Sequence, residues 1–593
     1  MLPLSELLNS MTVDELKQLL PFLPEELGGN RKAEIVERIT NGLLGGQGKN
    51  LKQQYEQLDN WQQLAVAEAL YDPEYAFHQV EFRAKYQHLP SFEIQPKKQS
   101  RYSFYRLPSR LRLFLFGSDL PSEFIPLLKE FVPEPPAVKL PSMTQLPETD
   151  KAEEEMQIRL CEQEALTDLT LLFRLVQQGK LKVSAKTGRA TTTTVKLLAQ
   201  SLSGGDFYDL EHPKRDSWSQ EIGGIKAFAW PLLLQAANLA QISGTKLILG
   251  KKGTGQVAKP VADTLRLIWS KWQKTTLLDE FRRIETIKGQ SAKGRVMTAV
   301  APRRLVINAA LQKCPVGKWI DVDNFFNYML ASKFDFDVAH DLWKLYLANK
   351  QYGALGYQGY SNWTILQGRY VLCLLFEYAA TLGMVDVAYI DPEDARDDYR
   401  DNWGADDLDF LSRYDGLRYF RLTALGAYCL GITEEYNAPA NISDCRFSIL
   451  PSLTINLVSG RPSTDDFLLL DTWAKQEAEN SWKLDKAKAI QALENGHDIT
   501  VLEAFLQGKD EQLLPEAVEG FINTIRKQGG AMKQVSVALL LECSSEAIAK
   551  TLAGHQETRK LCQRVGKKQL VVKLNQEEKF RQAARIVGYG VAV

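Results

Sequence analysis

Residues 179–202 read GKLKVSAKTGRATTTTVKLLAQSL. Gly179 follows an apolar-periodic run from Glu162 to Gln178, and a glycine just past such a run marks a helix end. Lys180–Val183 is a short extended piece. Lys186-Thr187-Gly188-Arg189 is a turn in which glycine supplies the backbone freedom. A second helix then runs from about Thr191 to Leu202, with the threonines Thr191–Thr194 at its start. Further out, Ile225–Ala237 (IKAFAWPLLLQAA) predicts a third helix, which Pro231 should kink or break. Lys246–Leu249 closes the segment as a strand, followed by the loop GKKGTG, Gly250–Gly255.

Helix, helix, helix, strand and glycine-basic turn is winged-helix order, here over residues 158–257. In DNA-binding modules of this kind the second helix of the pair enters the major groove and the wing touches backbone. The candidate contacts are Lys186, Arg189, Lys196, Lys251 and Lys252, with Thr191–Thr194 at the helix start able to cap it and to reach phosphate. The order recurs over residues 305–440: a helix Leu305–Gln312, a turn Cys314–Lys318, the piece Trp319–Val322 before a helix near Asn324–Leu330, then RYVLCLLFEYAATL (Arg369–Leu382) and the extended Met384–Tyr389. The wing position of this second unit is acidic. Residues 386–415 hold eleven Asp or Glu against Arg396, Arg400 and Arg413, a balance of -8. Phosphate would be repelled there. Asp394, Asp397, Asp398, Asp406 and Asp407 are instead candidates for receiving a basic partner, or form a solvated loop.

A basic connector, residues 258–304, joins the units. Lys271–Arg304 carries nine cations and three acids, a local +6. Arg282, Arg283, Arg303 and Arg304 are its principal backbone-contact candidates, with Lys293 and Arg295 beside them. Its alternatives are a salt-bridged helix face and a docking strip for the acidic loop.

Upstream, Pro133, Pro135, Pro136, Pro141 and Pro147 forbid regular structure and mark residues 131–157 as a linker. Residues 46–130 form a helical and mixed domain, with a basic-aromatic run from Lys97 to Arg112. Residues 1–45 pair two amphipathic helices, Val13–Leu20 and Arg31–Leu43, with a capping box between Thr12 and Glu15. The pieces Leu16-Lys17, Leu19-Leu20, Gly29, Arg31-Lys32, Glu34-Ile35-Val36 and Arg38-Ile39 make this hairpin resemble a SAP motif. The resemblance implies DNA contact through Lys17 on the first helix and through Arg31 and Lys32 at the start of the second, where a helix N-terminus suits an anion.

Residues 445–593 change texture. The opening strand Phe447–Leu457, Trp482-Lys483-Leu484, Leu514–Val518, the run Val535–Glu542 (a buried strand by composition) followed by Cys543, and Gly588-Tyr589 succeed one another. This order resembles the N-terminal domain of XPB-type helicases and of bacterial helicase-associated proteins that lack motor domains. The resemblance implies an α/β domain that helps engage DNA and regulatory partners.

Bulk properties bound the function. A chain of 593 residues needs several cores. Its net charge of -1 excludes uniform basicity, so any DNA contact must be local. Seven cysteines without a CxxC spacing and six scattered histidines point to a reducing compartment without a metal site. The N-terminus does not read as a signal peptide, and the longest apolar run, Tyr370–Ala380, is too short to span a bilayer. No G-x-x-x-x-G-K-[ST] loop occurs; Gly250–Gly255 has the wrong spacing. The chain is therefore expected to be mainly α with small β elements (α+β), multidomain and cytoplasmic. It is expected to be a non-catalytic DNA-binding accessory protein that needs no cofactor, acting with a separate helicase or nuclease in repair, defence or transcription. The alternative is a protein-interaction scaffold whose winged helices lack DNA affinity.

Overall fold

The computed structural model describes residues 2–23, 30–46, 48–94, 107–147, 156–209, 220–257, 259–290, 296–356, 363–437, 445–459, 462–478, 480–510, 513–529, 531–532 and 536–592. Gly29, the run from Lys97 to Arg106, Lys293 and Arg295 lie outside these residues. The chain is mainly helical with small antiparallel sheets and divides into two units, residues 1–440 and 441–593.

The N-terminal hairpin forms as its periodicity dictates. Helices Val13–Leu19 and Lys32–Leu44 bury Leu16, Leu19, Ile35, Val36 and Ile39 against a third helix, Leu4–Ser10. The Thr12 hydroxyl accepts from the Glu15 amide and the Glu15 carboxylate accepts from the Thr12 amide, the reciprocal capping box. One core continues from Leu4 to Val132.

The first winged unit starts with helix Cys161–Gln177, passes through an extended segment at 181–183 and enters helix Thr192–Ser201. Thr191 caps that helix. The Thr194 hydroxyl accepts from the Lys182 amide and donates to the Lys182 carbonyl, which locks the helix start to the strand. The third helix, Lys226–Ala236, is continuous with Pro231 inside it, so the proline does not break it. A proline inside a helix is tolerated where packing over-determines the backbone, and here Trp230, Leu232, Leu233 and Leu234 are all buried around it. The wing is the hairpin of strands Ala240–Ser243 and Lys246–Leu249. Gly250–Gly255 is not the wing loop: residues Lys251–Gln256 coil into a short helix, with Gly253 packed on the Leu239 carbonyl.

The second unit repeats the plan with helix Val300–Leu311, strand Trp319–Asp321, helix Val322–Ala331, a buried helix running from Thr364 through Ala379, and strands Val385–Tyr389 and Leu417–Leu422. The acidic residues 390–416 form its wing. In both units the first strand pairs with the third, and the third with the second. Two upstream pieces close this sheet. Gln157–Arg159 pairs with Val385–Tyr389 at one edge, and Met143 exchanges backbone hydrogen bonds with Trp319 at the other. The proline-rich segment thus covers an otherwise open strand edge.

The C-terminal unit has two cores. A four-stranded antiparallel sheet packs with helices Thr464–Trp473, Lys486–Glu494, Ile499–Lys509 and Glu516–Gln528 around Trp482, Leu484, Leu502 and Ile522. A three-stranded sheet packs with helices Glu546–Gly554 and Glu577–Ile586 around Leu570, Val572 and Phe580. The composition of Val535–Glu542 predicts a buried strand. Strand Ala538–Glu542 instead lies at a sheet edge with alternate residues exposed, because only one face of the sheet carries helices.

Candidate nucleic-acid interface

The first and last strands of the first unit's wing sheet alternate between buried and more exposed residues. Leu181, Val183 and Leu247 point inward and are buried. Lys182 lies directly opposite Lys246, and Lys246 opposite Ser243. Opposed residues in an antiparallel ladder project to the same face, so these three form an exposed row. Beyond the first strand the chain turns through Lys186 and Arg189, both exposed. The turn is rigid: Ser184 donates its amide to the Arg189 carbonyl, and Gly188, at φ 68°, sits on the end of the third helix, where Gln235 donates to its carbonyl. Lys251 and Lys252 follow the last strand and are exposed.

No acid interrupts this surface in sequence. Residues 169–205 and 222–262 contain eleven Lys or Arg and no Asp or Glu. Lys226 alone among them is buried, held by Glu164 and Asp168 at 2.7 Å each. Burial works against its charge, but the two carboxylates outweigh it and raise its pKa. The others present unpaired sign to solvent or, for Lys196, line a cleft of about 500 Å³ with Arg159, Asp206 and Asp391. Thr194 is buried and Thr191 caps, so only Thr192 and Thr193 of the threonine run face solvent. Lys182 stands between Leu181 and Val183, and Lys246 between Thr245 and Leu247, so their immediate neighbours do not single them out. Strand alternation together with the missing acids is the signal that finds them.

The basic connector is corrected by the structure. Arg303 and Arg304 are each 1% exposed and Arg283 is 6% exposed. Arg304 meets the Glu280 carboxylate at 2.6 Å and donates to the carbonyls of Trp272, Thr275 and Leu278. Burial opposes its charge, yet Glu280 holds the guanidinium pKa above its ordinary value. Arg303 pairs with Asp279 at 2.9 Å. Arg283 bridges the two winged units: it pairs with Glu377, donates to the Gly224 carbonyl and lies 3.7 Å from the Phe228 ring. Isolated buried charge is prohibitive, so each arginine is satisfied inside and none can reach phosphate. Nor do these three dock on the acidic loop; their carboxylates come from the connector and from the second unit's third helix. Arg282 remains exposed.

Both third helices are likewise enclosed. Phe207 and Phe376 pack with ring centroids 4.7 Å apart, and Trp272 stacks on Tyr378 at 4.3 Å. Lys226–Ala236 and the helix from Thr364 through Ala379 touch one another and keep almost no exposed side chain. Neither can lie in a groove as a recognition helix does.

Among the acidic candidates, Asp398 is clamped by Arg369 at 2.7 Å. Burial pushes its carboxyl up, but the Arg369 guanidinium more than compensates and its pKa falls. Asp394 pairs with Arg400. Asp397, Asp406 and Asp407 are exposed. On the N-terminal hairpin, Lys17 and Arg31 are exposed, while Lys32 donates to the Asn9 carbonyl at 2.7 Å. The carboxylate of Glu34 accepts from the Arg31 amide, so an acid already occupies that helix start. Among the described residues no group of three His, Cys, Asp or Glu could hold a metal ion, and no helix is long and apolar enough to cross a membrane. The chain matches no protein-family model and no curated protein sequence.

Proposed function

We propose that this protein is a non-catalytic DNA-binding accessory factor that holds the phosphate backbone with the wing of its first winged unit, working beside a separate helicase or nuclease. The single observation carrying this is the acid-free, solvent-facing set of cations on a rigid sheet and turn: Lys182, Lys246, Lys186 and Arg189, extended by Lys251 and Lys252. With both third helices enclosed, contact would be to phosphate rather than to base edges, and binding would be sequence-independent.

Replacing Lys182, Lys186, Arg189 and Lys246 together by alanine is expected to weaken duplex binding equally for unrelated sequences. The slope of log K against log salt should become shallower by about 0.9 for each phosphate that is no longer neutralised. Fluorescence anisotropy across a salt titration measures both; unchanged affinity and slope would refute the proposal. A protein-docking scaffold is favoured by a different observation, the mutual enclosure of the two third helices, and it predicts that refuting result.

A further inference from the structure

The C-terminal unit ends in a small module whose chain path, from the first strand onward, follows that of the two winged units, without their opening helix in its core. Strand Ala538–Glu542 leads into helix Glu546–Gly554, then a helical turn at 555–561, strand Cys562–Arg564, a tight turn and strand Gln569–Lys573. The sheet order is first strand, third strand, second strand, as in both N-terminal units. Each of the three also leaves its first strand through a polar N-cap that accepts from the amide three residues on: Thr191, Asp321 and Ser545. Strand order and cap together identify a third wing, at residues 565–568.

Its charge pattern repeats that of the first wing. Residues 558–576 contain six Lys or Arg and no Asp or Glu. Arg564 braces the turn from within, donating to the carbonyls of Gly566 and Lys567, and its partner Glu546 is also taken by Lys550. Cys543 donates its amide to the Lys568 carbonyl at 2.7 Å, pinning the other side. Lys567 and Lys568 are therefore presented, exposed, on a fixed backbone. The third-helix position differs from the other two units. Here it is one helical turn anchored by the buried Thr558, with Arg559 and Lys560 exposed at the surface. Glu557 is the single carboxylate in that turn.

We propose that this module is a second binding surface for the nucleic-acid phosphate backbone, formed by Lys567 and Lys568 on the wing and Arg559 and Lys560 at the third-helix position. Preorganised exposed cations that outnumber nearby carboxylates bind polyanions at low ordering cost, and release of condensed counterions drives the association. The choice of ligand rests on the DNA-binding reading above; the surface itself is separate from the first wing.

The test uses the full chain, with a fluorescein-labelled duplex and the corresponding single strand across a salt titration. Replacing Arg559, Lys560, Lys567 and Lys568 together by alanine should weaken binding roughly tenfold or more at low salt. For each phosphate left without its cation, the slope should fall by about 0.9 on the duplex, or about 0.7 on the single strand. The charge-preserving exchange Arg559→Lys, Lys560→Arg, Lys567→Arg, Lys568→Arg should restore both. An unchanged slope in the alanine variant, with circular dichroism and melting as in the parent, overturns the proposal; so does an exchange variant as weak as the alanine one. If only this alanine variant loses affinity, the first-wing reading fails while the present one stands. If only the first-wing variant loses affinity, the reverse holds.

Discussion

Arg304 donates to one carboxylate and three carbonyls from a position 1% exposed, so truncating it leaves Glu280, itself 0% exposed, without its counter-charge. Breaking a buried pair from one side costs about 3–5 kcal/mol. Arg304→Ala is therefore expected to lower unfolding free energy by about that amount in urea titration, while leaving the salt slope of DNA binding in the folded protein unchanged. A stable variant with a shallower slope would return Arg304 to the binding surface. Lys182 stands at the opposite extreme: exposed, on a strand whose inward neighbours Leu181 and Val183 are buried, it carries charge that folding does not consume. Burial separates these two roles, and formal charge does not register it.

At the scale of the element, the short helix Lys251–Gln256 is seated by Gly253. A β-carbon there would lie 2.0 Å from the Leu239 carbonyl oxygen, a backbone atom that cannot rotate away. Gly253→Ala should therefore destabilise the first unit by about 1–3 kcal/mol and displace Lys251 and Lys252 from the wing. Hydrogen exchange at the amides of Ala240–Leu249 would report the disturbance; parent-like protection together with parent-like stability would show that the helix does not depend on this close approach. The third helix of the same unit has no polar stripe, and apolar side chains around its circumference demand cover from every direction. The second unit's buried helix supplies part of that cover, so the two units pack together through their third helices.

For the whole molecule, enclosure on that scale makes the first unit dependent on its neighbours, whereas residues 441–593 carry two cores of their own. Expressed alone, residues 441–593 are expected to unfold cooperatively in denaturant. Residues 158–257 alone should not, because the third helix also packs on helix Val261–Trp272 and on the second unit's buried helix, both outside that fragment. Cooperative unfolding of the isolated 158–257 fragment, or none in 441–593, would contradict this division. The two proposed DNA surfaces fall one in each unit, so their contributions to the salt slope can be separated by charge removal in the full chain.

Local signals in the sequence determined much of the secondary structure. The caps at Thr12 and Thr191, the helix-ending Gly179, the periodicity of Val13–Leu19 and Lys32–Leu44, and the repeated helix–strand order of the two winged units all depend on neighbours within a few residues. Where charge ends up depends on residues far along the chain, and only the tertiary structure decided it. Arg283 meets Glu377 across 94 positions, Met143 closes a strand edge at Trp319, and two apolar helices turn inward toward each other. The physical reason is that an arginine costs little in water and is prohibitive when buried alone. The same residue is a phosphate ligand or a core strut according to whether a distant carboxylate arrives beside it.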